Sequence, residues 1–462
     1  MQFKIATLIP ETPKCDEHIN QVLRTFARNI AYCKYRILDS RIKAVYGKLY
    51  NLRQPLDLTR CPHQARCYNP RFLMPKNVPI RDGIRPIPLL DLNRQYLLIR
   101  PAVLSAIERV CSSQQFVLGQ EVEAFEQELA AYVGAAYAVG CASGTDALWL
   151  SLAAAGVGPG HRVITSPFSF FASASSIVRA GAEPVFVDVD PGSLNLAPAE
   201  VRKALSNARS SQGSRIKALL PVHLYGQCAD MTAFEEIAAE FGLALIEDAA
   251  QAIGARWEER AAGSIGLAAA FSFYPTKNLS AYGEAGIVTT NDAEMAAHMR
   301  RLRNHGSPER YRHVEFGWNA RMDAIQAAVL RVKLRHIDPW NRSRRKHRDT
   351  YDRLFQDAGW FEGRVRPLET STHAFHVSHQ YVIRSPRRDE LRAFLGSRGI
   401  ATEVYYPLSL HLQPVFSYLG YKEGDLPEAE RASREVLALP MFPELTEEEI
   451  ERVVGAIREF YG

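Results

Sequence analysis

From Ile87 onward, short apolar runs alternate with stretches in which apolar residues recur every three or four positions. The runs Tyr137 to Cys141, Arg162 to Thr165, Val185 to Val189, Ala218 to Val222, Leu243 to Ile246, Ala270 to Phe273 and Ile287 to Thr290 read as strands. Glu121 to Val133 puts Val122, Phe125, Leu129 and Val133 on one face and Gly134 at the stop, which is a helix pattern. Asp146 to Ala155, Met231 to Phe241 and Ala293 to Arg303 read the same way. Strands alternating with helices require crossover connections, so the pattern predicts an α/β fold with a mostly parallel central sheet flanked by helices. Such sheets place their sites at the carboxyl ends of strands, and Ser143, Asp248 and Lys277 each follow a predicted strand closely.

Arg321 to Ile337 and Trp340 to Phe355 read as helices leaving this domain. Beyond them Gln380 to Ile383, Arg388 to Ser397, Thr402 to Tyr406 and Thr446 to Phe460 alternate on a smaller scale. The last helix opens with a capping box, Thr446 with Glu449, and a staple between Leu445 and Ile450. The expected organisation is a segment 1–86, a large domain 87–339 and a smaller C-terminal α/β domain 340–462.

The chain has 462 residues, 47% hydrophobic and 23% charged, which is ordinary globular material able to fold without staples. The longest mainly apolar run, Ala147 to Gly158, is broken by Ser151 and falls short of the roughly 20 residues a membrane span requires. The amino end has only a short apolar stretch before Glu11 and does not read as a secretory signal, so the expectation is a cytoplasmic protein. Seven scattered cysteines, an odd number, argue for reduced thiols rather than a disulfide framework.

The net charge of +5 hides an asymmetry: residues 1–86 hold sixteen Lys and Arg against six Asp and Glu, and the remainder is net negative. That segment predicts one helix, Ile19 to Tyr35, and then a basic stretch with Cys61, His63 and Cys67. With Met74 close by, the segment reads either as a genuine extra module or as a start-site or fusion artefact. The three residues with Cys33 or Cys15 lack the short pair spacing of zinc sites, so no metal is expected.

The candidate chemistry rests on three pieces in order. Ser143-Gly144-Thr145 follows a strand and opens a helix, where free amides and the Thr145 hydroxyl can hold a phosphate; alone it reads as an ordinary N-cap. Asp248 ends a strand too apolar for the surface and needs a cationic partner, such as a protonated ring nitrogen, although capping the following helix is an equal reading. Lys277 follows the alternating Phe271-Ser272-Phe273, where desolvation supplies a free amine for a Schiff base with an aldehyde. Together these are what a chain needs to hold pyridoxal phosphate. Gln251 is placed to touch the ring or else is a surface amide. Phe170 is a stacking candidate or core, and Ser272 can add a phosphate bond.

The stretch from Ile87 to about Phe460, some four fifths of the chain, resembles the pyridoxal-phosphate-dependent sugar aminotransferases of the DegT type, with fold type I architecture. The runs that carry the resemblance include Gly119 to Val122, Ser143 to Leu148, Pro221 to Gln227, Glu247 to Ala252, Phe271 to Leu279, Asn304 to Gly306 and Gly317 to Asp323. It implies Lys277 as the Schiff-base lysine, Asp248 on the pyridine nitrogen, Gln251 and Phe170 on the ring, and Gly144, Thr145 and Ser272 on the phosphate. Asn319 would reach the phosphate from the other subunit, which implies a homodimer with shared sites. The implied reaction takes an amino group from L-glutamate, leaving 2-oxoglutarate, and gives it to a nucleotide-linked (dTDP or UDP) keto-sugar on the way to polysaccharide or secondary metabolites. Lys277 stands where a dehydrating branch of the family has histidine, which favours transamination. Ala285 departs from the family's usual glycine, harmlessly unless that position needs a positive φ. Phe168 to Phe171 and Tyr405 to Gln413 resemble members acting on 3-oxo sugars, with His411 a candidate substrate contact or a structural histidine.

The same residues admit two rival readings. One is a non-catalytic regulator that keeps the fold and binds nucleic acid through its basic first 86 residues, but no recognisable binding motif accompanies the charge, so a nucleic-acid partner is not expected. The other keeps the cofactor for elimination or racemisation.

Overall fold

The computed structural model describes residues 85–210, 215–359 and 364–462. The chain divides into two units, Met1–Leu73 and Met74–Gly462, and all of the described residues belong to the second. The helix expected at Ile19 to Tyr35 and the Cys61, His63 and Cys67 group lie outside the described residues.

Seven strands make the central sheet, in the spatial order Tyr137–Cys141, Gly286–Thr290, Ala268–Ser272, Ala244–Asp248, Ile216–Leu220, Arg162–Thr165, Glu183–Phe186. Every adjacent pair is parallel except the two that Gly286–Thr290 makes, so the sheet is mostly parallel. Strands covered on both faces read as continuous apolar runs, and these do. The main shifts are at Val185 to Val189 and Ala218 to Val222, whose strands end earlier, at Phe186 and Leu220. Val187, Val189 and Val222 are buried, but in the loops past the strand ends.

Helices cover both faces. One core joins the helices Gln120–Val133, Met231–Phe241 and Ala324–Leu334 to the sheet, with Phe125 edge-on to Phe273 at 5.4 Å between ring centres. The other gathers around Gly144–Ala154, through Leu148, Leu150 and Leu152. A helix not anticipated from the pattern, Leu92–Ser113, packs on the first core through Ile99, Val103, Ala106 and Val110. Its interior Pro101 disguises it, while the Asp91 side chain caps its first turn by accepting from the Asn93 and Arg94 amides.

The C-terminal region adds a three-stranded antiparallel sheet, Arg366–Pro367, Tyr381–Arg384 and Val436–Leu439, with a core of its own. Thr402 to Tyr406 is not a strand; only Glu403 pairs there, opposite Ala438. The capping box of Thr446 and Glu449 is present, and Leu445 and Ile450 are both buried. The helix Ile337–Asp357 crosses the expected boundary at 339/340, giving Trp340 to the first core and Tyr351 and Phe355 to the second. Ile87 also joins the second core: its N–H donates to the Gly399 carbonyl at 2.8 Å and its carbonyl accepts from Ala401 at 2.9 Å. Among the described residues no helix is long and apolar enough to cross a membrane, and no group of three or more His, Cys, Asp or Glu is placed to hold a metal.

Candidate active site

The strand Ala244–Asp248 ends in two carboxylates, and successive strand residues point to opposite faces. Glu247 is fully buried and accepts from His223 Nε2 at 3.0 Å, Gly263 N at 2.9 Å, Ile265 N at 3.0 Å and Gly266 N at 2.8 Å. The Ala229 amide donates to His223 Nδ1, so the ring proton sits on Nε2 and points at Glu247. Burial alone would raise the Glu247 pKa, but His223 and the Gly263 and Gly266 amides hold it below the ordinary value. This acid is caged and structural.

Asp248, 3% exposed, has a different setting. Its Oδ2 accepts from Ser173 Oγ at 2.6 Å and its Oδ1 from the Ala250 amide at 3.2 Å, but among the described residues no cation is bonded to it. Burial pushes its carboxyl up, against the opposing pull of Ser173, Ala250 and then Lys277. A buried carboxylate so placed is completed by a positive partner.

Lys277 lies in the turn after Ala268–Ser272, held by its own amide on the Tyr274 carbonyl at 2.8 Å. Burial lowers its pKa to about 8, and the charge of Asp248 opposes that fall. The two side chains that the sequence puts 29 positions apart therefore act on each other electrostatically.

The Ser143 hydroxyl caps the helix Gly144–Ala154, accepting from the Asp146 amide at 3.1 Å and donating to Asp146 Oδ2 at 2.8 Å. Its side chain is thus spent on the cap, which leaves Gly144 and Thr145 to offer the helix start to an anion. Gly144 lies against Ser272: a Cβ added there would stand 2.5 Å from Ser272 Cβ. The close approach brings both segments to one spot, as the phosphate reading requires. Ala285 does not have a positive φ, so its departure from glycine costs nothing in backbone terms.

Phe170 is 59% exposed, with its ring 6.3 Å from that of Tyr406, so it is a platform rather than core. Gln251 is not a surface amide: its Oε1 accepts from the Tyr225 amide at 2.6 Å and its Nε2 donates to Tyr406 Oη at 3.3 Å. Asn319 is exposed, next to Ala320, whose carbonyl accepts from Ala142 at 3.1 Å, one residue before Ser143. His411 does not fit a substrate contact. It is 1% exposed, its Nε2 bonds Glu430 Oε1 at 3.1 Å, and that carboxylate also ties down Gly424, so the histidine braces its own loop.

The sequence reading missed Ser173 and Tyr406. Ser173 had only its place three residues past Phe170 to recommend it. Tyr406, whose pKa burial raises with Asp248 adding to the rise, lay in the run from Tyr405 but without a role.

Pyridoxal phosphate is a demanding guest, and these residues fit it: an amine with depressed pKa, a buried acid lacking a cation, a helix start and a half-open aromatic ring. Residues 98–458 match the model of the DegT/DnrJ/EryC1/StrS aminotransferase family. The chain is 52% identical over 375 residues to the pleiotropic regulatory protein of Geobacillus stearothermophilus, covering 81% of this chain and 98% of that one. It is 44% identical to the dTDP-3-amino-3,4,6-trideoxy-alpha-D-glucose transaminase of Streptomyces venezuelae, over 81% of this chain and 96% of the relative. Among solved structures, DesV of S. venezuelae in complex with a ketimine intermediate is similar with a TM-score of 0.78 at 42% identity, covering 82% of this chain and 99% of that one.

Proposed function

We propose that this chain, which belongs to the DegT/DnrJ/EryC1/StrS aminotransferase family, moves an amino group from L-glutamate to the carbonyl of a keto sugar carried on dTDP or UDP, with pyridoxal phosphate as its resident cofactor. The observation that carries the reading is the pairing of Lys277 with Asp248: an amine brought down to about 8 in the field of a buried acid that has no bonded cation. A relative that acts on a dTDP amino sugar supports the substrate class.

Gly144, Thr145 and Ser272 would hold the phosphate, Asp248 the ring nitrogen, Gln251 and Phe170 the ring, and Lys277 the aldehyde carbon. When bound, the cofactor supplies an electron sink for the electron pair left when the substrate loses its α-proton. Asp248, fixed by Ser173 and Ala250, keeps the ring nitrogen protonated, which is what makes the sink deep. Lys277 Nζ would take the α-proton of glutamate and deliver it two atoms away, across the imine nitrogen; water would then release 2-oxoglutarate, and the same proton transfers in the opposite sense would serve amination of the sugar. At a pKa of about 8, about a tenth of the lysine is free amine at pH 7, against about one part in 3,000 for an ordinary lysine.

A homodimer completes the reading. Phe116, Val117, Phe316 and Trp318 are exposed, Phe316 at 98%, and Val117 pairs with Asp323 while Arg321 pairs with Cys141 beside the phosphate end. Such a patch at the rim suits a second copy whose Asn319 reaches the phosphate.

A relative named as a regulatory protein supports a second reading, a non-catalytic regulator that keeps the fold. One experiment separates them. The purified chain is incubated with pyridoxal phosphate, L-glutamate and a panel of dTDP- and UDP-linked keto sugars, with products read by mass and 2-oxoglutarate by assay. Amino-sugar formation is expected. Cofactor uptake with no 2-oxoglutarate from any sugar would favour the regulator, and no uptake at all would end both.

A further inference from the structure

We propose that Asn341 is a positioning residue that sets the spacing between the Lys277 turn and the Asp248 segment, with Asn278 and His379 completing the brace. The inference rests on Lys277 being the reactive amine and adds the device that holds it in place.

The turn that presents Lys277 continues into Asn278, Leu279 and Ser280, all buried. Asn278 Nδ2 donates to Asn341 Oδ1 at 2.9 Å. Asn341, itself 3% exposed in the helix Ile337–Asp357, donates from Nδ2 to the carbonyl of Ile253 at 3.0 Å, five residues past Asp248. One side-chain amide therefore bonds the continuations of both strands that carry the chemistry. Its fit is tight: Gly254 has φ +81°, and a Cβ there would stand 2.7 Å from Asn341 Nδ2. A buried amide that uses both its donor and its acceptor specifies one geometry, because displacing either segment leaves a polar atom unpaired.

The third member fixes the direction of these bonds. Since Asn278 Nδ2 is the donor to Asn341, Asn278 Oδ1 is an acceptor, and it faces His379 Nδ1 at 3.0 Å. The His379 proton therefore sits on Nδ1. The segment ahead of it is locked on the Tyr225 loop, with Val377 N–H on the Gly226 carbonyl at 3.0 Å, and Ser378 takes a left-handed φ of 49° to turn His379 inward. His379 is held neutral, by burial first and then by the charges of Lys277, Arg344 and His376. On the Lys277 side the opposing charge is Asp248. A neutral ring at this place adds no second cation beside the amine.

The test is made on the cofactor-free chain, so it does not depend on any turnover. Lysines are acetylated competitively over a pH series and the midpoint for Lys277 is read by peptide mass spectrometry. The expected wild-type midpoint is near 8. In Asn341→Leu and His379→Leu, release of the turn is expected to move the midpoint up by a unit or more toward the ordinary lysine value of about 10.4. His379→Asn, which returns an N–H to Asn278 Oδ1, should stay within about half a unit of wild type. If a leucine variant does not fold, Asn341→Ser, which shortens the brace without filling the site with an apolar group, should still shift the midpoint upward. A fall in melting temperature with an unmoved midpoint in the folded variants would reduce these residues to ordinary core and overturn the proposal. Failure of the aminotransferase reading is separable: there the Lys277 midpoint would keep this pattern while pyridoxal phosphate and keto sugars had no effect.

Discussion

Two lysines with lowered pKa invite comparison, one in the turn after Ala268–Ser272 and one on the helix Ala324–Leu334. Burial brings both Lys277 and Lys333 down to about 8. Their surroundings differ. Lys333, 2% exposed, donates to Ser280 Oγ at 2.8 Å and rests 4.5 Å from the centre of the Tyr282 ring. Its nitrogen is occupied in the packing that supports the Lys277 turn from behind. Lys277 is only partly buried and lies in the field of Asp248, to which no cation is bonded among the described residues. A depressed pKa thus accompanies both a structural amine and the one proposed to react. What separates them is access and the neighbouring charge.

The comparison breaks most sharply at Lys277→Ala. Turnover is expected to fall by on the order of 10⁴-fold or more, with circular dichroism unchanged, since in the proposed reaction a single group both binds the aldehyde and moves the proton. Borohydride reduction of the loaded wild type should fix the cofactor to the peptide containing Lys277 and leave that of Lys333 unmodified; label on Lys333 would reverse the assignment. Asp248→Asn comes next. It should retain colour but lose about 10²- to 10³-fold in kcat, because the acid proposed to keep the ring nitrogen protonated would be gone. Near-normal rates would remove Asp248 from that role.

Glu247→Gln sharpens the contrast from the other face of the same strand. Its new amide N–H₂ would oppose either the Ile265 and Gly266 donors at the Oε1 position or the Gly263 and His223 donors at the Oε2 position, costing on the order of 3 kcal/mol in denaturant unfolding. In what folds, kcat should change far less than in Asp248→Asn. The smallest effect is expected for Lys333→Met, within about 1.5 kcal/mol of wild type at pH 7. Its signature is the pH dependence. The folded value of Lys333 lies below the unfolded one, so the native state binds fewer protons between pH 8 and the unfolded value. Wild-type stability should therefore rise with pH across that window, by up to about 1.4 kcal/mol per unit for this group, and the methionine variant should lack that contribution. Parallel pH curves would mean that Lys333 is not desolvated.

Much of this was legible in the chain. Strand and helix periodicities place the central sheet within a few residues, and Met231–Phe241 and the capping box at Thr446 are read to the residue. Lys277, Asp248 and Gly144 stand out because each follows an apolar strand, where a polar or flexible residue needs a reason. Leu92–Ser113 escaped because its apolar face is thin and Pro101 interrupts the pattern. The role of His411 stayed open because a histidine between Leu410 and Leu412 has the same local signal whether it meets a substrate or, as here, a buried glutamate.

Local pattern by itself therefore determined the α/β alternation and the residue types near the strand ends, since period and burial act over a few neighbouring positions. Only the tertiary structure decided which of two adjacent carboxylates is caged and which lacks a cation, and which of two depressed lysines is open. Those properties depend on partners such as Ser173, His223, Ser280 and Asn341, some from distant parts of the chain, and on how far their packing excludes water.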